Sequence, residues 1–195
     1  MSDSNVTKLA LANSLKNLMA KRPFGRICVS DIAGDCGLTR QAFYYHFKDK
    51  YDLMNWIYET ETARFIRINK DMGHCMDGLR DLCDYMRQNK TFYANALNTT
   101  GQNSFQEYLH ESIFHIVISG AGSIDNTESE EKWSFYAEAI AVIFVGLTVR
   151  WANNGMKEDP VEYIGKLRSL FDGSLFHALE KQCMNILSQN LNVTQ

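Results

Sequence analysis

The tightest constraint in this chain is the glycine turn at Gly37 and the two short apolar-periodic stretches on either side of it. Ile27 to Cys36 reads as a short helix whose Ile32 and Ala33 face inward. Gly37 follows at the position where a helix end wants left-handed backbone. Leu38 and Thr39 restart the chain, and Thr39 is a good N-cap, because its hydroxyl accepts a bond from an amide two or three residues on. A further helix is expected from Arg40 to about Phe47. Two short helices joined by a glycine turn match the helix-turn-helix scheme, in which the second helix enters the major groove of duplex DNA. Small helical bundles contain such pairs too, so the side chains must narrow the reading. The run L-T-R-Q-A-F-Y-Y-H-F-K-D-K-Y-D-L places Arg40, Gln41, Tyr44, Tyr45, His46, Lys48 and Lys50 close together, a dense set of hydrogen-bond donors. Phe43 and Phe47 lie on the inward stripe and read as core. Tyr44 and Tyr45 are adjacent and cannot both face inward, so at least one is expected in solvent.

The wider sequence points to an all-α fold. Two prolines, twelve glycines and no strict apolar/polar alternation argue against a many-stranded sheet. Charge is unevenly spread: residues 1–50 hold eight Lys/Arg against four Asp/Glu, a surplus of +4, while the remainder holds twelve against nineteen, or -7. A basic head on an acidic body suits a polyanion-binding module, although a solvated face gives the same pattern. The five cysteines, Cys28, Cys36, Cys75, Cys83 and Cys183, are odd in number and form no C-x-x-C pair, which suggests a reducing cytosol. No apolar stretch after the first charges resembles a secretory signal. The most apolar run, Ala139 to Val149, ends at Arg150, short of the ~20 residues a bilayer span needs, and reads as a buried helix. A cytoplasmic protein without a membrane partner is expected.

Helical periodicity organises the rest. Thr7 to Lys21 aligns Leu11, Leu15 and Leu18, with Lys8, Lys16 and Lys21 expected in solvent. After the head, a long helix should begin near Asp49, carry Leu53, Trp56, Ile57 and Phe65 inward, and end near Gly73. Shorter helices follow through Leu79, Leu82, Cys83 and Met86, then through Phe92, Tyr93, Ala96 and Leu97, then from Phe105 to Val117. Gly120 to Glu128 reads as a surface loop. Glu130 to Asn153 and Val161 to about Leu187 are expected as the two longest helices, separated by Asn154, Gly155 and Pro160. The domain division expected is a DNA-binding head over residues 1–50 and a helical body over 51–195.

Over Thr7 to Trp56, and more weakly over its whole length, the chain resembles the TetR family of one-component bacterial regulators. The family's pattern is met by Ile32, Ala33, Gly37, Phe43, Tyr44, Phe47, Lys50 and Leu53. One departure is Cys28, where the family often has a threonine capping the second helix. The cap should be weaker there, with Ser30 substituting in part. The resemblance implies that Tyr44 and Lys50 hold phosphates, that His46 lies near the DNA backbone, and that Arg40, Gln41 and Tyr45 face base edges. Thr39 and Ala42 belong to the same interface. Arg bonds guanine and Gln bonds adenine in a bidentate way, each worth roughly 1 to 3 kcal/mol of discrimination. Y-D-L-M-N-W-I-Y, N-K-T-F-Y, G-Q-N-S-F and R-W-A-N-N-G-M look like the family branch that includes regulators of dihydroxyacetone kinase operons, some of which answer to a protein partner.

The same resemblance implies a homodimer on a palindromic double-stranded operator, acting as repressor or activator, with an effector that is a small-molecule inducer or a protein co-regulator. Half-sites ~34 Å apart need a two-fold dimer. Ile140, Phe144, Leu147 and Trp151 on one of the last two helices, with Ile164, Leu167, Phe171 and Leu175 on the other, serve either that interface or an intramolecular core. Candidates for lining an effector site are Met86, Phe92, Tyr93, Phe105, Tyr108, Phe114 and Trp151, although Met and aromatic side chains at helical spacing are more often plain core. Enzyme readings find little support. His74, Cys75 and Cys83 fit no structural zinc spacing, and His110 and His115 miss the i, i+4 placement of a helical metal pair. Ser112 and Ser119 lack a recognisable base, and Gly120 to Ser123 opens no dinucleotide fingerprint. Neither a cofactor nor a metal nor catalysis is expected. The rival reading is a helical ligand- or protein-binding module without DNA affinity.

Overall fold

Apolar residues recurring every three to four positions build α-helices throughout the residues described by the computed structural model, which are 3–67, 72–99, 104–121, 129–171 and 173. In chain order they are α1 (Asp3–Met19), α2 (Val29–Asp35), α3 (Arg40–His46), α4 (Lys50–Arg67), α5 (Met72–Gln88), α6 (Lys90–Leu97), α7 (Phe105–Ala121), α8 (Glu130–Asn153) and α9 (Pro160–Phe171), with a 3-10 turn at Phe24–Arg26. No strand occurs among the described residues, so the expected all-α class holds. The chain divides into two compact units, Met1–Lys157 and Glu158–Gln195.

In the first unit, α1, α2 and α3 pack on one another around Leu11, Leu15, Ile32, Ala33 and Phe43, all at most 1% exposed. Ser14 ties α1 to α2 by donating its hydroxyl to the Ile32 carbonyl at 2.8 Å, which satisfies a polar group buried at the crossing. Behind the head, α4 buries Leu53, Met54, Ile57 and Tyr58 and runs against α5 and α7. Trp56 and Phe65, expected inward, are only half-buried. The remaining core is α6, α7 and α8, with the longest shared surface between α7 and α8.

The end of α4 differs from expectation. Gly73 lies in the first turn of α5, and its role is therefore not to stop α4. The glycine that matters here is Gly78: a methyl placed on it would lie 2.3 Å from the Phe65 carbonyl oxygen, so α5 crosses α4 at a distance only a hydrogen permits. Likewise α7 continues through Gly120, while residues 122–128 of the expected loop lie outside the described residues.

The R-W-A-N-N-G-M segment closes α8 with a Schellman turn. Met156 N–H reaches the Trp151 carbonyl at 2.9 Å and Gly155 N–H the Ala152 carbonyl at 2.9 Å, with φ at +79° for Gly155 and +51° for Met156. Met156 accepts that unfavourable backbone while its side chain is buried to 2% exposure.

Of the α8 residues that could serve either a partner or an internal core, two are committed to the core. Phe144 and Trp151 are 1% and 4% exposed and pack within this unit, as do Ala137, Ala141 and Thr148. By length and composition α8 is apolar enough to cross a membrane, yet one side of it is packed in this core. The other side leaves Phe135, Tyr136, Val142 and Ile143 exposed at 69%, 42%, 54% and 41%. A helix apolar on all sides carries no periodic mark of which side is inside, and neighbouring helices decide it.

In the second unit, Pro160 starts α9, where its missing N–H costs nothing. Asp159 caps the helix by accepting the Val161 N–H at 2.9 Å, and Lys166 pairs with Glu158. Tyr163, Ile164 and Leu167 are buried. Leu175, the side chain of Phe171, and the expected continuation to Leu187 lie outside the described residues.

Gly78→Ala should lower stability by about 1 to 3 kcal/mol, since overpacking at the backbone crossing outweighs the gain of about 1 kcal/mol in helix propensity. Urea denaturation of the two proteins measures this, and an unchanged or higher midpoint would show that the crossing relaxes freely.

Candidate nucleic-acid interface

The interface is built from its turn outward. At the end of α2, Leu38 N–H bonds the Ala33 carbonyl at 2.8 Å and Gly37 N–H bonds the Gly34 carbonyl at 3.2 Å, with Gly37 at φ +70°. That left-handed residue swings the chain so that Thr39 can cap α3, accepting the Ala42 N–H at 3.1 Å. Phe43 and Phe47 then anchor α3 in the head core at 0% and 3% exposure.

With that face committed, the opposite face of α3 is left to solvent. Arg40 and Gln41 are exposed, Tyr44 and Tyr45 are 50% and 82% exposed, and Thr39 is exposed beside them. Ala42 and His46 are half-buried. The Arg40 guanidinium lies 6.0 Å from the Tyr44 ring, and the Tyr45 and His46 rings meet edge to face at 4.9 Å. Both tyrosines of the adjacent pair therefore stand outside the core.

Lys50 is placed differently from a simple surface cation. Its ammonium donates to the Phe24 carbonyl at 3.1 Å and the Ile27 carbonyl at 2.8 Å, and sits 4.5 Å over the Phe24 ring. Burial pushes its pKa down. Two of its three N–H donors thus pin the 3-10 turn to the start of α4, which leaves one to reach outward.

The start of α2 also departs from the expected chemistry. Ser30 turns its hydroxyl to the Cys28 thiol at 3.0 Å, while Asp31 supplies the cap by accepting the Cys28 N–H at 2.9 Å. Asp31 further accepts the Cys28 thiol at 3.0 Å and pairs with Arg22 at 2.8 Å. The Cys28 thiol and amide, with Arg22 beside them, hold its carboxyl down at about 2.

In the body, the candidate effector-lining residues are drawn together in part. Tyr93, Phe105 and Tyr108 join Tyr58 in one aromatic cluster, with centroids 4.5 Å apart for Tyr58 and Phe105 and 5.2 Å for Tyr93 and Phe105. Met86, Phe92 and Trp151 are buried and Phe114 is half-buried. Sequence reasoning missed Glu61, whose carboxylate collects Lys16 at 2.7 and 3.0 Å, the Tyr85 hydroxyl at 2.9 Å and the Tyr93 hydroxyl at 2.9 Å. Lys16, expected in solvent, is therefore half-buried and paired. Burial and the Glu61 bond push the Tyr85 phenol up to about 12, and burial raises Tyr93 as well, so both hydroxyls stay protonated and donate. No spacing rule links residues 16, 61, 85 and 93, and only the packing reveals the set. Cys83 is buried in the core, and His110 pairs with Glu138 at 3.1 Å. The His74 and Cys75 side chains lie outside the described residues, and no group of three His, Cys, Asp or Glu suited to a metal occurs among those described.

A glycine-turned helix pair with a polar, uncovered second helix, carried on a larger helical body, defines the helix-turn-helix class. Comparison with known families agrees over both parts. Residues 14–56 match the model of bacterial regulatory proteins of the tetR family, and residues 73–173 match a transcriptional regulator C-terminal region. The chain belongs to the TetR family of transcriptional regulators. It is 33% identical over 93 residues to the HTH-type dhaKLM operon transcriptional activator DhaS of Lactococcus lactis subsp. lactis (strain IL1403). That match covers 48% of this chain and 50% of the relative, so it spans about half the length of the curated protein. Among solved structures, the dihydroxyacetone kinase operon activator DhaS is similar with a TM-score of 0.65 at 22% identity, covering 87% of this chain and 96% of that one. NalD, the secondary repressor of the MexAB-OprM multidrug efflux pump in Pseudomonas aeruginosa, has a TM-score of 0.62 at 17% identity, covering 89% and 98%. These likenesses establish a shared fold.

The Asp31 cap should give the head an acid-sensitive element. A carboxyl lowered in the folded state adds stability that is complete above the unfolded value of about 4 and is lost as pH falls towards its folded value. Asp31→Asn should flatten the fall in melting temperature between pH ~4 and ~2; parallel wild-type and variant curves would refute it.

Proposed function

We propose that this TetR-family chain is a cytoplasmic regulator that grips a palindromic duplex operator as a homodimer and responds to an effector acting on its body. The observation that carries the reading is the solvent-facing side of α3, where Arg40, Gln41, Tyr44 and Tyr45 stand clear of a core that holds Phe43 and Phe47. Residues 1–50 serve as the DNA-binding head and residues 51–195 as the effector and dimerisation body. Arg40, Gln41 and Tyr45 read base edges, with Thr39 and Ala42 flanking them. Tyr44, His46 and the remaining donor of Lys50 set the register on phosphates, which carry no sequence information but dominate salt dependence.

The dimer forms through the uncovered side of α8. Phe135, Ala139, Val142 and Gly146 repeat at alternating spacings of four and three, the rhythm of a helix–helix seam, and Tyr136 and Ile143 widen it. Exposed apolar surface of this kind on one long helix suits a second copy of the same helix related by a two-fold axis. The effector, a small molecule or a protein partner, acts where α4 to α8 meet around Tyr93, Phe105 and Tyr108, with Met86, Phe92, Phe114 and Trp151 around them.

In a mobility-shift titration on duplex from the chain's own upstream region, Arg40→Ala and Gln41→Ala should each lose ~1 to 3 kcal/mol of discrimination and alter base preference. Tyr44→Phe should instead weaken all sequences alike. No salt-sensitive binding to any duplex would leave a helical ligand- or protein-binding module in place of a regulator. Val142→Glu, which puts a charge at an exposed seam position, should separate protomers in sedimentation velocity while helix content is kept. A charged variant that still sediments as a dimer would move the interface off α8.

A further inference from the structure

We propose that Phe135 and Gly146 form a large-and-small lock between two copies of α8, which run antiparallel about a two-fold axis midway between Ala139 and Val142, and that this lock restricts the partner to a second copy of this chain. It rests on the reading of α8 as the dimer interface, and adds to it a register and a basis for choosing partners. Phe135 is 69% exposed, the most exposed large apolar residue on α8. Its ring in water forgoes the burial an aromatic side chain gains from a neighbour. Gly146 is the opposite case. It is exposed and lies well inside a helix of 24 residues, where glycine weakens the helix. A methyl added there would meet no described atom within 4 Å, and the backbone is not left-handed. Nothing described within this chain calls for a glycine at that point, whereas the hollow it leaves on an apolar side suits the close approach of a second helix.

Phe135 and Gly146 lie eleven positions apart, three turns of helix, so they point within about 20° of each other and about 16 Å apart along the axis. A two-fold axis across the helix brings level those positions that lie equally far from it on either side. With the axis midway between Ala139 and Val142, Phe135 faces the partner's Gly146, and Gly146 the partner's Phe135. Val142 lies almost on the axis and meets its own copy. Parallel pairing would instead set ring on ring at one level and hollow on hollow at the other, crowding the first and leaving the second unpacked. Charge is arranged about the same midpoint. Glu130, Glu131 and Lys132 precede Phe135, Arg150 follows Gly146, and Glu138 at the edge is bonded to His110. Glu131 and Arg150 are equally far from the axis, so the antiparallel register lays the acidic end of one helix beside the basic end of the other. An apolar centre with a charged rim is the make-up of a stable interface.

The consequence is selective pairing. A partner with bulk at the level of Phe135 clashes, and one without bulk at the level of Gly146 leaves a void. Symmetry repeats each fault, so a homodimer carries it twice. Discrimination of this kind comes from the penalty on the wrong partner as much as from the fit of the right one.

Sedimentation equilibrium of the full chain, with helix content followed by circular dichroism, tests the lock. Gly146→Leu and Phe135→Ala should each weaken the dimer about tenfold or more, although leucine is the better helix former. The double variant Phe135→Ala/Gly146→Leu moves the bulk to the other side and should regain most of that loss. Mixed with wild type, it should pair with itself and form mixed dimers at roughly a fifth or less of the random share. Oxidative cross-linking reads the register. Phe135→Cys/Gly146→Cys on one chain should join two protomers, and Val142→Cys should do so alone. Phe135→Cys or Gly146→Cys alone should match wild type, since each position lies about 16 Å from its own copy. Cross-linking by either of those single variants overturns the lock, as does wild-type affinity in the size-changed ones. If Val142→Glu still separates the protomers in that case, the α8 interface stands without the lock. A monomeric wild-type chain refutes interface and lock together.

Discussion

The left-handed residue at Gly37 governs the direction in which α3 leaves the turn. Its conformation lets the Leu38 amide close on the Ala33 carbonyl, and a residue with a Cβ would meet the ~1 to 2 kcal/mol penalty of that backbone region. Everything after the turn inherits its direction. Thr39 caps, Phe43 and Phe47 seat, and the polar face of α3 is the side left over. Without the turn the same side chains would still form a helix, but nothing would aim it.

The body solves a different problem, which is how to join a small head to a larger core without leaving polar groups stranded. Glu61 does this with four donor bonds from α1, α5 and α6 converging on one carboxylate. Such a set stabilises only when every member is satisfied, since an unpaired buried charge costs several kcal/mol. Asn95 meets the same demand at the end of α1. Head and body are therefore joined by directional bonds, where apolar contact alone would allow sliding.

Much of the fold is legible along the chain, and the reason is local. Helix starts and stops are written in neighbouring residues: Thr39 before α3, Asp49 before α4, Gly37 after α2, Gly155 after α8. The exposed face of α3 is legible too, because fixing Phe43 and Phe47 inward leaves few choices for the residues between them. The end of α4 is not marked by Gly73, since a glycine's meaning depends on what passes beside it, and among the described glycines it is Gly78 whose added Cβ would run into another helix's backbone. Lys16 reads as a solvent cation on spacing and Lys50 as a phosphate contact by family resemblance, yet both spend donors within the molecule.

The division is clearest on α8. Hydropathy marks it as a long apolar helix, and every residue needed for that conclusion lies within it. Which side it buries depends on α6 and α7, so Phe144 and Trp151 go to the core and Val142 and Ile143 to the surface. Short-range order, caps, turns and periodicity, is a property of adjacent residues and can be read along the chain. Partnership between distant side chains, as at Glu61 and Asn95, exists only once the helices have packed, because no energy term connects those residues until they touch.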